Sequence, residues 1–139
     1  MKAIARPTVR TAFTHQIDIR QHRLLMDEPM ELGGGDAGPS PQELLAASLA
    51  SCAAITMEMY AKRKGWDIEP VEVECEYPPV ERGCPTTFKL VLRLSKECSE
   101  EQIERLRVIA AKCPVRRALD GEVRFDERVE LFDPAASRS

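Results

Sequence analysis

The feature that most constrains the fold is a long helical segment that begins at Ser40. Three signals agree on this start: Ser40 is a predicted N-cap, Pro41 occupies the first helical position, and Glu43 completes a capping box. The helix is predicted to continue to about Lys64, where Gly65 supplies the stop.

The same segment is apolar on almost every side between Leu44 and Ala54. A helix without a polar face belongs in the interior of a protein. In a chain of 139 residues, burial on every side predicts that a second subunit supplies part of the cover. The apolar run 44–57 lies between Glu43 and Glu58 and is too short to span a bilayer, so no membrane partner is expected.

Alternating apolar residues predict antiparallel strands on both sides of this helix. The segments Val9–Arg20 and Arg23–Met26 are predicted to pair through a turn at Gln21-His22. The segments Asp67–Tyr77 and Phe88–Leu94 also alternate, and the loop between them is rich in proline, which favours a second antiparallel pair.

The last third of the chain predicts a second helix and a final strand. Another capping box starts at Ser99, and apolar residues at helical spacing place Cys113 on the inward face of that helix, before Pro114 interrupts it. Glu122–Phe132 alternates and is predicted to be the last strand. The order of elements is typical of an α+β fold with antiparallel sheet, and the length suits a single domain over residues 1–139.

Composition and charge argue against several classes of protein. The net charge is −3 and no basic stripe is interleaved with aromatics, so no nucleic-acid partner is expected. The first ten residues show no signal peptide, which predicts a cytoplasmic protein. The five cysteines are an odd number without a C-x-x-C pair and are accompanied by only two histidines, so we expect free thiols, no metal and no bound cofactor.

Cys52 and Cys113 are the candidate functional residues. Taken alone, each is more often a small core hydrophobe than a reactive group. A nucleophilic Cys52 requires a nearby cation, because burial among aliphatic side chains raises the pKa of a thiol and the helix start is roughly three turns away. The sequence offers four arginines for this purpose: Arg20, Arg23, Arg116 and Arg117.

Two inward cysteines are what a dithiol peroxidase needs, since one becomes a sulfenic acid and the other condenses with it. Glu43 has a competing explanation, because a capping box selects glutamate without any catalysis, although the same carboxylate can also receive an arginine. The loop Gly33–Gly38 spells G-x-G-x-x-G, but Pro39 and Pro41 follow where a phosphate-binding helix would begin, which disfavours a dinucleotide site.

Several of these segments match a known family. Gly33–Leu45 and the following Ser51-Cys52 resemble the central motif of the OsmC/Ohr proteins, osmotically inducible protein C and the organic hydroperoxide resistance proteins. Met57–Gly65 and Ala111–Leu119 resemble the OsmC-like branch in particular. The resemblance spans nearly the whole chain. It implies an OsmC-like fold, in which antiparallel sheets wrap two long central helices of an intertwined homodimer with active sites at the subunit interface.

The resemblance also implies a thiol-dependent peroxidase, an antioxidant and stress-response activity that reduces organic hydroperoxides to alcohols. Cys52 would form the sulfenic acid and then a disulfide with Cys113, which an external thiol or dithiol, lipoyl-bearing in some members, would reduce. Arg20 matches the arginine of the family's first hairpin. Glu43 is the carboxylate that would hold this arginine. The hydroperoxide resistance branch has its glutamate one position earlier, at the position that Gln42 occupies in this sequence.

The predicted substrates carry organic tails, because the lining expected around Cys52 is apolar. The residues expected to form that lining are Leu45, Leu49, Ile55 and Met59. The alternative is a non-catalytic, stress-related protein of the same fold that binds a small apolar ligand at the dimer interface, with the cysteines serving as core residues.

Overall fold

The computed structural model describes residues 1–8 and 13–133. The elements are β1 (Ile4–Pro7), β2 (His15–Ile19), β3 (His22–Met26), α1 (Pro41–Lys64), β4 (Glu72–Glu76), β5 (Lys89–Arg93), α2 (Glu100–Ala110) and α3 (Pro114–Asp120). β1, β2 and β3 form one antiparallel sheet, and β4 and β5 form a second. The predicted α+β class with antiparallel sheets is confirmed.

Both ends of α1 lie where the sequence predicts them. The Ser40 hydroxyl accepts a hydrogen bond from the Glu43 backbone N–H at 3.2 Å, and the Ser40 backbone N–H donates to the Glu43 carboxylate at 3.1 Å. Pro41 opens the helix, and Gly65 ends it with a φ of 70°, a left-handed value that glycine adopts at little cost.

The core lies on one side of α1, where β4, α2 and α3 pack against it. Ala53, Met57 and Ala61 of α1 are buried there together with Leu106 and Ala110 of α2. The other side of α1 is open within the chain: Leu45, Ile55 and Met59 are exposed. The helix that the sequence predicts to be apolar all round therefore has only part of its cover in a single chain.

α1 is long and apolar enough to cross a membrane when judged by length and composition alone. Its most apolar window has a mean hydropathy of 1.4, and 28% of that window is buried. The sequence argument judged the run 44–57 too short to span a bilayer. Because α1 extends well beyond that run, its length does not exclude a membrane span. Core helices of soluble proteins have the same length and composition, and α1 packs against α2 and α3 as such helices do.

The loop between β3 and α1 is organised around the buried carboxylate of Asp27. This carboxylate accepts hydrogen bonds from the Thr14 hydroxyl and the Glu28 backbone N–H, both at 2.8 Å. It also accepts from the backbone N–H groups of Gly35 at 3.1 Å and Ala37 at 3.2 Å. Burial alone raises the pKa of Asp27, but these four hydrogen bonds outweigh it and lower the pKa below its usual value.

The glycines of this loop are explained by close backbone packing. A Cβ on Gly34 would lie 1.9 Å from the carbonyl oxygen of Glu28, and a Cβ on Gly38 would lie 2.3 Å from that of Leu25. Close backbone packing therefore requires glycine at these two positions.

The first hairpin differs in detail from the prediction. β1 was not predicted, and it pairs with β2 in the register Ala5 to Ile17. The turn to β3 is formed by Arg20 and Gln21, and His22 is already in the strand. Residues 9–12, the start of the predicted first strand, lie outside the described residues.

Cys113 does not lie on the second helix, which corrects the sequence prediction. α2 ends at Ala110, and Cys113 is the N-cap of the separate helix α3, with φ −60° and ψ 143°. The physical reason is Pro114. A proline ring disfavours the helical conformation for the residue before it, so Cys113 is extended and a new helix begins.

The predicted last strand, Glu122–Phe132, is absent: residues 122–133 form no helix or strand. A strand needs a neighbour for its N–H and C=O groups, and the described part of the chain provides none for this segment. The alternation is nevertheless visible, because Arg124 pairs with Glu122 at 3.1 Å and Arg128 with Glu130 at 2.6 Å. The apolar residues between them face solvent.

Candidate active site

The structure brings Cys52 and Cys113 together. Cys52 is half-buried near the middle of α1, and Cys113 is fully buried at the start of α3, which packs against α1. The two side chains are close enough that Cys52 raises the pKa of Cys113. Sequence reasoning paired these residues by function, and the fold brings their side chains close together although Cys52 and Cys113 are 61 positions apart in the sequence.

The surroundings of Cys113 keep its thiol protonated. Burial is the main cause and raises its pKa. The neighbouring Cys52 raises it further, whereas backbone N–H groups of Arg116, at 3.4 Å from the sulfur, and Val115 oppose the change. The net effect is a raised pKa, so Cys113 is held as the neutral thiol.

Arg20 lies at the exposed tip of the hairpin between β2 and β3. Its φ is 54°, a left-handed value that is uncommon for a residue with a side chain. The strands β1, β2 and β3 of this sheet contact mainly one another. Among the described residues, no hydrogen bond or ion pair links Arg20 to either thiol or to Glu43.

The other candidate cations are placed differently. The guanidinium of Arg116 lies 3.5 Å from the Asp120 carboxylate on α3. Its backbone N–H, not its side chain, reaches the Cys113 sulfur. Arg117 is exposed on the same helix, and Arg23 lies 3.7 Å from Asp18.

Glu43 is occupied by its capping role. Its carboxylate accepts from the Ser40 backbone N–H, and hydrogen bonds with the backbone and hydroxyl of Ser40 lower its pKa. The carboxylate borders a cleft of about 260 Å³ that Cys75 and Tyr77 also line. The structure thus confirms the capping explanation for Glu43 and leaves its contact with an arginine as a prediction.

An apolar groove of about 550 Å³ lies beside the first turns of α1. Leu45, Val80, Phe88 and Leu119 are apolar residues of its lining, which also includes Tyr77. Leu45 is about two turns before Cys52 on the same helix. Of the residues expected to line the site, Leu49 is buried in the core, while Ile55 and Met59 are exposed on the uncovered side of α1.

Sequence reasoning missed the donors that surround the Cys113 sulfur. The N-cap role of Cys113 aims the Arg116 N–H at the thiol. The signal was present in the dipeptide Cys113-Pro114, because proline at the first helical position commonly follows an N-cap. Within residues 1–8 and 13–133, no group of three or more metal-binding side chains is assembled.

Comparison with known proteins agrees with this architecture. The family model described as OsmC-like protein matches residues 33–128, from the glycine loop to the C-terminal segment. The chain belongs to the OsmC-like family. The uncharacterized protein YmaD of Bacillus subtilis is similar to it, with 28% identity over 104 residues, which cover 68% of this chain and 69% of YmaD.

Solved structures of OsmC and Ohr proteins share the fold. A Psychrobacter arcticus protein, described as a putative osmotic stress induced and detoxification response protein, superposes with a TM-score of 0.70 at 21% identity, covering 81% of this chain and 85% of that one. The organic hydroperoxide resistance protein OhrB of Bacillus subtilis superposes with a TM-score of 0.59 at 24% identity, covering 86% and 90%. The family thus includes proteins of hydroperoxide resistance, and at these identities the likeness concerns the fold.

Proposed function

We propose that the protein is a thiol-dependent peroxidase that reduces organic hydroperoxides, with Cys52 as the attacking thiolate and Cys113 as the resolving thiol. The observation that carries the proposal is the proximity of the two side chains, which is close enough for Cys52 to raise the pKa of Cys113. Their surroundings divide the roles: Cys52 is half-buried and more accessible to a substrate, whereas Cys113 is fully buried and retains its proton.

The chemistry proceeds in three steps. The Cys52 thiolate attacks the terminal oxygen of the hydroperoxide, an S–O bond forms as the O–O bond breaks, and the alkoxide takes up a proton and leaves as the alcohol. The Cys113 sulfur then attacks the Cys52 sulfur, the S–O bond breaks, and the hydroxyl leaves as water with the Cys113 proton. An external dithiol reduces the resulting disulfide and is itself oxidised to a disulfide.

Arg20 is proposed to supply the positive charge that this reaction needs. An alkoxide leaving group develops negative charge, and a positioned guanidinium stabilises it. Arg20 has no hydrogen-bond or ion-pair partner among the described residues, and it lies on a hairpin whose sheet has few contacts with the rest of its own chain. We infer that the hairpin of one subunit brings Arg20 to the thiols of the other, with Glu43 as a further ligand for the guanidinium.

A homodimer is therefore part of the proposal. Two surfaces of the isolated chain support it: the open side of α1, with exposed Ile55 and Met59, and the C-terminal segment 122–132, with exposed Phe125 and Val129. Large apolar side chains in contiguous patches are characteristic of protein interfaces. The exposed groove beside Leu45 offers an apolar environment for the organic tail of the hydroperoxide.

The decisive experiment measures hydroperoxide consumption by the purified protein with a dithiol as reductant. We expect cumene hydroperoxide to be consumed faster than hydrogen peroxide and Cys52→Ser to be inactive. Cys113→Ser should complete one turnover and then over-oxidise at Cys52. Cys84→Ser, which removes an exposed thiol, is the matched control and should retain activity. Wild-type turnover by Cys52→Ser would refute the proposal.

The apolar groove supports a second candidate, a non-catalytic protein that binds a small apolar ligand. Mass spectrometry after one equivalent of cumene hydroperoxide distinguishes the two. A new disulfide between Cys52 and Cys113 supports the peroxidase, and unmodified thiols support the binding protein.

A further inference from the structure

A second cleft, of about 430 Å³, opens between the C-terminal end of α1 and the outer face of α2. Its lining residues are Tyr60, Lys64, Trp66, Glu101, Glu104, Arg105 and Val108. Tyr60 is about two turns beyond Cys52 on α1, so this cleft is separate from the two thiols. Its volume lies within the range of small-molecule sites.

Three cations lie around the Tyr60 ring, and two of them, Lys64 and Arg105, line this cleft. The charged groups of Arg105, Lys64 and Arg63 lie 5.4, 5.7 and 6.0 Å from the ring centroid. Within residues 1–8 and 13–133, none of the three forms an ion pair with a carboxylate. Arg105 uses its Nε to donate to the Tyr60 hydroxyl at 2.9 Å, which leaves the two terminal nitrogens of the guanidinium for another acceptor.

The carboxylates that line the cleft do not fully balance these charges. Glu104 is held by Arg107, which donates to it from two nitrogens at 2.7 and 3.0 Å. Among the described lining residues, this leaves Glu101 to oppose Lys64 and Arg105. The dipole of α1 favours cations in its last turn and so accounts for Arg63 and Lys64. It does not account for Arg105, which comes from α2.

Part of the cleft wall is apolar. Trp66 lies edge-on to Tyr60, with ring centroids 5.6 Å apart and an interplanar angle of 72°. Val108 of α2 adds an aliphatic surface. The cleft thus combines the charged groups of Lys64 and Arg105 with a partly aromatic, apolar wall.

We propose that this cleft binds a small organic anion, a carboxylate whose charge contacts Arg105 and Lys64 and whose apolar body lies against Trp66 and Val108. A guanidinium matches a carboxylate with two parallel hydrogen bonds, which favours this anion over a halide. The inference is independent of the peroxidase chemistry, since it uses neither cysteine.

The only tryptophan of the chain, Trp66, reports on binding. We expect its fluorescence to change saturably when the reduced protein is titrated with cyclohexanecarboxylate at constant ionic strength. The neutral cyclohexanecarboxamide and inorganic phosphate, which lacks an apolar body, should each bind at least about tenfold more weakly. An equal response to the amide or to phosphate would overturn the assignment.

Substitution of a single cation locates the site. Arg105→Gln should weaken binding by about tenfold or more, as expected for loss of a charged hydrogen bond. Lys62→Gln is the matched control: Lys62 is an exposed cation in the same last turn of α1 that does not line the cleft. Equal losses in both variants would show general charge attraction and contradict a defined site.

Ionisation of Tyr60 provides an independent readout. The hydrogen bond from Arg105 lowers the pKa of Tyr60, burial opposes this, and the charges of Arg105, Lys64 and Arg63 lower it further. A bound carboxylate offsets those charges, so saturating cyclohexanecarboxylate should raise the pH at which phenolate absorbance appears. Tyr77→Phe leaves Tyr60 as the only tyrosine and makes the signal unambiguous. An unchanged phenolate titration would also overturn the proposal.

Discussion

The sulfur of Cys113 accepts a hydrogen bond from the Arg116 backbone N–H at 3.4 Å, and Cys52 is close enough to raise the pKa of Cys113. Cys113 is therefore both the N-cap of α3 and the neighbour of the more accessible thiol. Its burial keeps it protonated, and its position in a helix cap fixes the direction of its sulfur. A rigidly held, protonated partner suits the capture of an oxidised Cys52.

Alkaline pH should destabilise the reduced protein through Cys113. Because its pKa is raised in the folded state, the unfolded chain releases this proton first as pH rises. The contribution of the neutral thiol to stability is complete below the unfolded pKa, near 9.0, and is lost as pH rises through the folded pKa. We expect the Tm to fall in that window. Cys113→Ser, which can still cap α3, should show a shallower fall, whereas Cys84→Ser should match the wild type.

Much of α1 and its surroundings follows from local sequence. Ser40, Pro41 and Glu43 set the start of the helix through short-range contacts, and Gly65 ends it for the same reason. The alternation around Val73 correctly predicted β4 because one face of that strand packs on the core. These elements depend on neighbours in the sequence or on a core within the same chain, so the pattern alone is sufficient.

Arg20 has a strained backbone conformation, with a left-handed φ. We therefore expect substitution of Arg20 by glycine to lower activity without lowering stability. A left-handed φ costs a residue with a side chain roughly 1 kcal/mol, which glycine avoids. Arg20→Gly should therefore leave the free energy of unfolding unchanged or raise it by up to about 1 kcal/mol. If Arg20 stabilises the leaving alkoxide, the same variant should lose about a hundredfold in peroxidase activity.

The comparison uses thermal unfolding and hydroperoxide consumption on the same samples. Arg23→Ala, which removes an exposed arginine on the other side of the turn, is the control and should keep its activity. Full activity in Arg20→Gly would remove Arg20 from the mechanism without affecting the roles of the two cysteines.

Acid should loosen the loop before α1 through Asp27. Hydrogen bonds lower the pKa of Asp27 in the folded protein, so its contribution to stability is present above the unfolded pKa, near 3.8, and is lost as pH falls through the folded value. Asp27→Asn replaces one acceptor oxygen with a donor that faces other donors. We expect a lower Tm at neutral pH and a weaker dependence of Tm on acid pH. Asp36→Asn, on the exposed part of the same loop, is the control.

The errors in the sequence analysis have physical causes that lie outside helix and strand periodicity. Cys113 fits the spacing of α2, but Pro114 overrides that spacing because it forbids a helical Cys113. The segment 122–132 alternates as a strand does, yet a strand exists only where another strand accepts its hydrogen bonds. The spacing of apolar residues indicates which face of a segment can be buried. It does not indicate whether the same chain or a second chain covers that face.

The C-terminal segment tests the proposed homodimer most directly. Arg124 pairs with Glu122 in this segment, whereas the apolar side chains of Phe125 and Val129 are exposed. If a second copy covers these apolar side chains, a buried carboxylate among them would be costly. We expect the wild-type protein to sediment as a dimer at micromolar concentration and Val129→Asp to weaken dimerisation at least about a hundredfold. Arg124→Ala, which removes a charged side chain of the same segment, should remain dimeric, and a monomeric wild type would contradict the proposed cover of both this segment and the open side of α1.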